Sequence, residues 1–265
     1  MPETRSLYDA IGASYGTTRR ADQGILNELV KHVGLRADGE YLDLGCGTGN
    51  YTCALAATGG RWHGVDSSEA MLEQARSKDC QVTWMLGEAQ SLPYKSGTFA
   101  GAICTLAIHH FIGLEAPFAE VARVLRAGKF VLFTAFPEQM RSYWLCHYFP
   151  RMMEKSIERM PCKATVLGAL GAAGFSEPLV APFTVDRGLQ DLFLYSGKVQ
   201  PQLYLNASVR SNISSFATLC PAKELEEGLE RLRADITKNR FQDIARHYVC
   251  TLGDYAFVIA AKPGI

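Results

Sequence analysis

The chain has 265 residues, 48% of them apolar and 20% charged, with a mean hydropathy near zero; this is the composition of a folded soluble protein with a sizeable core and excludes a disordered one. Twenty-seven lysines and arginines balance twenty-seven aspartates and glutamates, so no global positive field draws in a polyanion, and nucleic acid is not expected as a partner. No stretch reaches the roughly 18 apolar residues that span a bilayer. The opening MPETRSLYDAIGASYGTTRRADQG has no apolar run of signal-peptide type, so no membrane partner and a cytoplasmic location are expected. The eight cysteines (46, 53, 80, 104, 146, 162, 220 and 250) show no short metal-clip spacing; they predict no metal site, no disulfide framework, and mostly buried small side chains.

Residues 21–33 (ADQGILNELVKHV) space their apolar side chains at helical intervals. A strand at 40–44 (EYLDL) runs into a glycine-rich turn, and a small-residue helix follows from Asn50 to about Thr58. Next come a strand at 62–66 (WHGVD) and a helix opened by Ser67 and Ser68 with Glu69 behind them, completing one βαβ unit. Strands recur at 82–86, 99–106 and 129–136, separated by helices of which 115–126 is the clearest. Such alternation implies a parallel sheet covered on both faces.

Beyond Pro137 the pattern predicts helix over 138–158, a helix over 163–173 ended by Gly174, and a strand at 179–185 whose Pro182 suits a sheet edge. Residues 187–252 interrupt the alternation with two or three helical segments, one of them strongly charged at 222–238, before a last strand at 255–261. The expected organisation is an N-terminal segment over 1–20, a core over 21–186, an inserted cap over 187–252 and a final core strand within 253–265.

Chemistry concentrates in YLDLGCGTGNY at 41–51, where a buried strand meets Gly45, Gly47 and Gly49 and then a helix. A dinucleotide fingerprint has the spacing GxGxxG; here position 50 is Asn and the spacing is GxGxG, which suits a ligand without phosphate. Asp66 closes the second strand, where a carboxylate can accept from both hydroxyls of a ribose. Glu88, after the third strand, can accept from an adenine amino group, and Asp43 is placed to meet an amine. Ribose, adenine and ammonium without a phosphate grip describe S-adenosylmethionine better than NAD.

At these residues the chain resembles the class I S-adenosylmethionine-dependent methyltransferases of the small-molecule group. YLDLGCGTG resembles their first motif, GVDSSEAMLEQAR the second, GEAQSLPYKSGTF the adenine segment, TLAIHHF the end of the fourth strand, and EVARVLRAGKFVLFT the helix and strand that follow. The resemblance implies an α/β Rossmann-like sheet of seven strands in the order 3-2-1-4-5-7-6 with the seventh antiparallel and an N-terminal lid over 1–20, to which the break in the pattern adds the inserted helical cap. It implies cofactor contacts from Tyr15, Arg19, Asp43, Gly45, Cys46 (through its backbone), Gly47, Gly49, Asp66, Ser67, Met71, Glu88, Ala89 and Thr105. Tyr8 and Arg20 belong to the same lid segment. Two departures stand out: Ala100 replaces the family's usual Asp, and Ala127-Gly128-Lys129 replaces its Pro-Gly-Gly.

His109 and His110 follow the fourth strand, at the edge where ligands bind in open α/β sheets, and either can act as general base for a hydroxyl acceptor. In the aromatic cap, Tyr195, Lys198 and Arg210 are the acceptor-binding candidates. The function expected is methyl transfer to a small-molecule acceptor; an RNA methyltransferase, an NAD-dependent oxidoreductase and a non-catalytic cofactor-binding protein stand as alternatives, and a homo-oligomer is left open.

Overall fold

Successive residues of the central strands enter opposite cores. The computed structural model describes residues 18–264, and in it every residue from Phe130 to Phe136 and from Tyr255 to Ala260 is buried. Val131, Phe133, Tyr255, Phe257 and Ile259 pack on one face, while Phe130, Leu132, Ala256, Val258 and Ala260 pack on the other. An apolar run without polar alternation is what burial on both faces demands.

The seven strands are β1 (Glu40–Leu44), β2 (Arg61–Asp66), β3 (Val82–Leu86), β4 (Phe99–Thr105), β5 (Leu125–Thr134), β6 (Leu179–Phe183) and β7 (Tyr255–Lys262). They form one sheet in the order β3-β2-β1-β4-β5-β7-β6, with β1 to β5 parallel and β7 antiparallel to both β5 and β6, as the resemblance implied. Pro182 sits on β6, the edge strand, where no second neighbour needs its missing N–H.

Helix α1 (Gln23–Val33) precedes β1, while α2 (Asn50–Thr58), α3 (Glu69–Arg76) and α4 (Glu115–Val124) join β1 to β2, β2 to β3 and β4 to β5; β3 runs to β4 without the helix that the alternation implied. Asp22 caps α1 by accepting from the Ile25 N–H at 3.0 Å, and Ser68 Oγ accepts from the Met71 N–H at 3.3 Å to start α3. After β5 come α5 (Pro137–Met140), α6 (Leu145–Tyr148), α7 (Pro150–Glu158) and α8 (Lys163–Ala172). The region between β6 and β7 carries α9 (Ala207–Ser211), α10 (Ala222–Thr237) and α11 (Phe241–Ala245).

Three sequence expectations are corrected. First, β5 begins at Leu125, not 129: Gly128 adopts a φ of 137°, and a Cβ there would lie 2.0 Å from the Ala100 carbonyl oxygen. The two departures from the family pattern therefore face each other where β4 and β5 shift register. Second, the single helix over 138–158 is three short ones, because Phe149 is driven from helical geometry by Pro150 after it and adopts φ −134°, ψ 60°.

Third, Cys53 and Cys80 form a disulfide; α2 and the turn after α3 bring their Cα atoms to 5.5 Å although 27 positions separate them in sequence. Of the free cysteines only Cys104 is fully buried, and Cys162 is exposed.

Residues 187–252 do not sit apart from the sheet. Tyr195, Tyr204, Phe216 and Phe241 share one core with Tyr143, Trp144, Tyr148 and Phe149 from α6 and its flanks, and with Phe133 and Tyr255 of the sheet. Tyr143 and Tyr195 stack with ring centroids 3.8 Å apart.

Candidate active site

The three loop glycines all have positive φ (71°, 53° and 72°), and their surroundings separate their tasks. A Cβ on Gly45 would meet the Ala107 methyl at 2.7 Å, and one on Gly49 would meet the Trp84 indole at 2.3 Å, so both are dictated by packing. A Cβ on Gly47 would meet no atom within 4 Å. Only Gly47 therefore turns a bare backbone toward open space, which is what close approach of a ligand needs.

The loop is fixed from both sides. Asp66 Oδ2 accepts from the Gly47 N–H at 2.8 Å and Oδ1 from the Ser68 N–H at 2.9 Å, so the carboxylate ties the glycine loop to the start of α3. Lys78 Nζ donates to the Thr48 carbonyl and to Asn50 Oδ1. The Cys46 N–H donates to the Val65 carbonyl at 3.1 Å, and its own carbonyl accepts from the Gly49 N–H at 2.9 Å, which commits its backbone to the turn itself. Burial pushes the Cys46 thiol well up.

Asp43 is fully buried. Its Oδ2 accepts from the Thr52 hydroxyl at 2.6 Å, while Oδ1 has no partner among the described residues. Burial raises its carboxyl to about 7, against a smaller lowering by the Thr52 hydrogen bond. Met71 is buried at the start of α3, Ser67 and Glu88 are exposed, and Ala89 and Thr105 are half-buried. All of these lie at the carboxyl ends of β1, β2, β3 and β4, four adjacent strands, so the structure brings the expected cofactor residues to one edge. Tyr8 and Tyr15 lie outside the described residues. Arg19 makes a two-pronged ion pair with Asp191 of the cap, whose carboxylate also accepts from the Tyr51 hydroxyl at 3.2 Å.

Directly after β4, Leu106 adopts a φ of 52°, held by its N–H on the Phe133 carbonyl at 2.8 Å. A positive φ at a non-glycine residue costs energy and persists only where its surroundings enforce it. This bend carries the chain into a 3₁₀ turn, Ile108–His110, that aims both histidines into a cavity of about 820 Å³, its open mouth included. The rings of His109 and His110 are 3.9 Å apart. Burial, followed by the neighbouring positive charge, pushes His109 well below its ordinary value and His110 down to about 4, so both are neutral bases at pH 7. His109 Nδ1 has no partner among the described residues.

The other walls come from Ser156, Arg159 and Met160 in and after α7, and from Phe193, Leu194 and Ile213 of the cap. The three cap residues expected to bind acceptor do not line this cavity. Tyr195 accepts from the Trp144 N–H at 3.2 Å, Lys198 pairs with Asp254 at 2.7 Å, and Arg210 donates to the Tyr204 carbonyl at 2.6 Å, so all three hold the cap together. Ser156 and Arg159 were not singled out from sequence; their spacing of three on a helix is their only local signal.

The sheet order and the phosphate-free glycine loop define an α/β domain that binds a nucleoside-bearing cofactor, with a cavity beside it. Residues 42–128 match the family model described as a methyltransferase domain. A putative methyltransferase from an antibiotic biosynthesis pathway of Anabaena variabilis superposes with a TM-score of 0.83 at 33% identity, over 92% of this chain and 99% of that one. A ubiquinone/menaquinone biosynthesis C-methyltransferase of Syntrophotalea carbinolica is 26% identical over 65% of this chain and 86% of its own length. A demethylmenaquinone methyltransferase of Symbiobacterium thermophilum is 30% identical over 47% of this chain and 55% of its own. The chain spans about half or less of the length of the curated relatives it matches at 30% identity or more. It belongs to the class I S-adenosylmethionine-dependent methyltransferases.

S-adenosylmethionine is the family's cofactor, and the residues present fit it. The bare Gly47 backbone offers a cradle that a Cβ would fill, the buried Asp43 Oδ1 lacks the donor that an ammonium would bring, and Asp66 keeps acceptor capacity beside the loop. Among the described residues no group of three or more His, Cys, Asp or Glu could hold a metal, and no helix is long and apolar enough to cross a membrane.

Proposed function

We propose that the protein transfers a methyl group from S-adenosylmethionine to a small-molecule acceptor seated in the cavity beyond β4 and β5. The observation that carries this reading is the contiguity of the two sites: Leu106, His109 and His110 line the cavity, and Ala107 between them packs against Gly45 of the glycine loop. The two relatives named for menaquinone synthesis support a small acceptor.

The bound cofactor supplies an electrophilic methyl group on a sulfonium, so the protein's task is to position the acceptor and manage its proton. In this reading Asp66 accepts from the ribose hydroxyls, Asp43 meets the ammonium, and Glu88 with the Ala89 backbone borders the adenine. His109 or His110, neutral at pH 7, takes the acceptor's proton as the methyl bond forms. The Arg19–Asp191 pair braces the cavity wall rather than serving the cofactor's carboxylate.

Calorimetric titration with S-adenosylhomocysteine and NAD, followed by release of S-adenosylhomocysteine from S-adenosylmethionine in the presence of hydroxyaromatic and quinol acceptors, tests this. Micromolar binding of the homocysteine derivative without binding of NAD is expected, together with acceptor-dependent turnover. A protein that binds neither S-adenosylmethionine nor its product does not have this function.

A further inference from the structure

Ser156 and Arg159 stand three residues apart, Ser156 on α7 and Arg159 just past its end, and both reach the acceptor cavity. Ser156 is 5% exposed, and its hydroxyl has no hydrogen-bond partner among the described residues. A buried hydroxyl is normally satisfied, so one left open beside a cavity points to a ligand atom. In the same cavity, His109 Nδ1 is likewise buried and without partner among the described residues.

The charge balance of the walls is one-sided. Two guanidinium groups line the cavity, and no carboxylate does among the described residues. Asp191 neutralises Arg19 through a two-pronged pair, whereas the exposed Arg159 guanidinium makes no hydrogen bond or ion pair among the described residues. Arg159 is therefore the uncompensated positive charge, close enough to act on both histidines. Arg159 is itself exposed to solvent, and Met140, Met160, Phe193 and Leu194 line the cavity with it.

We propose that the acceptor is a carboxylic acid whose carboxylate is seated by the Arg159 guanidinium and the Ser156 hydroxyl, with its reactive atom turned toward His109, His110 and the glycine loop. The planar fork of a guanidinium matches two coplanar oxygens, and one cation with one hydroxyl balances a monoanion rather than a phosphate dianion. The inference rests on the methyltransferase reading above and adds the class of acceptor.

Protein saturated with S-adenosylhomocysteine is titrated with matched pairs, 4-hydroxybenzoate against 4-hydroxybenzamide and 1-naphthoate against 1-naphthamide, and with phenyl phosphate. Each carboxylate is expected to bind at least tenfold more tightly than its amide. Arg159→Gln should bring the members of each pair to parity, Arg159→Lys should keep part of the preference, and Ser156→Ala should weaken the carboxylates several-fold. Parity in the unaltered protein, absence of binding by both members included, overturns the seat, and so does a preference that survives in Arg159→Gln. Tighter binding of phenyl phosphate than of either carboxylate overturns the carboxylate assignment. Affinity for S-adenosylhomocysteine is read in the same samples: its loss in the unaltered protein overturns the methyltransferase reading, whereas its retention alongside parity overturns the seat alone.

Discussion

The Asp66 carboxylate grips the Gly47 N–H at 2.8 Å, so the residue that closes β2 also sets the position of the one loop glycine that faces open space. Asp66→Ala should therefore act twice, removing a charge-assisted acceptor and loosening the loop. Affinity for S-adenosylhomocysteine is expected to fall by roughly 1–3 kcal/mol in a protein that stays folded, measured by calorimetry. Asp66→Asn keeps one carbonyl acceptor and should fall between the two.

Gly47 and Gly49 should respond oppositely to alanine. Gly47→Ala is expected to cost about 1 kcal/mol of stability from its positive φ while weakening cofactor binding severely. Gly49→Ala drives a methyl into Trp84 and should cost about 2–4 kcal/mol in stability before any effect on binding. Thermal melts paired with calorimetry separate the two patterns.

Asp43 titrates at about 7 in the folded protein against 3.8 unfolded, so the native state holds a proton that the unfolded chain releases. Its contribution to stability is fully present below about pH 4 and is lost as pH rises through about 7. Asp43→Asn should flatten the melting temperature over that window. An ammonium meeting the carboxylate would displace its proton, so binding of S-adenosylhomocysteine near pH 6 should release protons, visible as a dependence of the binding heat on buffer ionisation.

The histidines carry the pH dependence of turnover. Burial first, and then the nearby Arg159 charge, make them lose their protons far below the ordinary imidazole range. For an acceptor that does not itself titrate, the rate should be level from about pH 6 to 8 and fall only toward pH 4, rather than rise through about 6.5 as an unperturbed imidazole would require. Alanine at the residue acting as base should lower kcat by roughly 10²–10⁴-fold with little change in cofactor affinity. Less than tenfold at both positions would leave positioning as the whole mechanism.

Lys198 bears on the stability of the cap. Its ammonium pairs with Asp254, whose Oδ2 also accepts from the Val185 N–H at 2.8 Å and whose side chain is 5% exposed. Lys198→Met should strand that carboxylate and cost about 3 kcal/mol in denaturant unfolding. Acceptor KM, measured below the shifted melting temperature, should stay near its starting value.

The sheet was legible because its information is local. β1 and β3 occupy the predicted residues, since apolar runs bounded by glycine and turn residues need no distant partner to be recognised. Asp43, Gly47 and Asp66 could be singled out for the same reason, each standing at a fixed offset from a strand end. The acceptor wall was not. Ser156 and Arg159 read as an ordinary solvated helix until Phe193, Leu194 and Ile213, distant in sequence, line the same cavity. Cys53 and Cys80 were hidden likewise, because the helix–strand crossovers between them decide their meeting. Tyr195 drew attention by composition, yet an aromatic cap requires stacking partners, and Tyr143 takes that side chain.

The chain around Arg19 joins the two halves of the site. The Arg19 carbonyl accepts from Asn50 of the glycine-loop helix at 2.9 Å, its guanidinium holds Asp191, the Thr18 carbonyl accepts from the Leu192 N–H at 3.3 Å, and Asp22 accepts from the Gln190 N–H at 2.9 Å. This strap ties the glycine loop by hydrogen bonds to the stretch of cap that runs into Phe193 and Leu194. Any coupling that the strap carries between the two halves is reciprocal: the factor by which cofactor changes acceptor affinity equals the factor by which acceptor changes cofactor affinity.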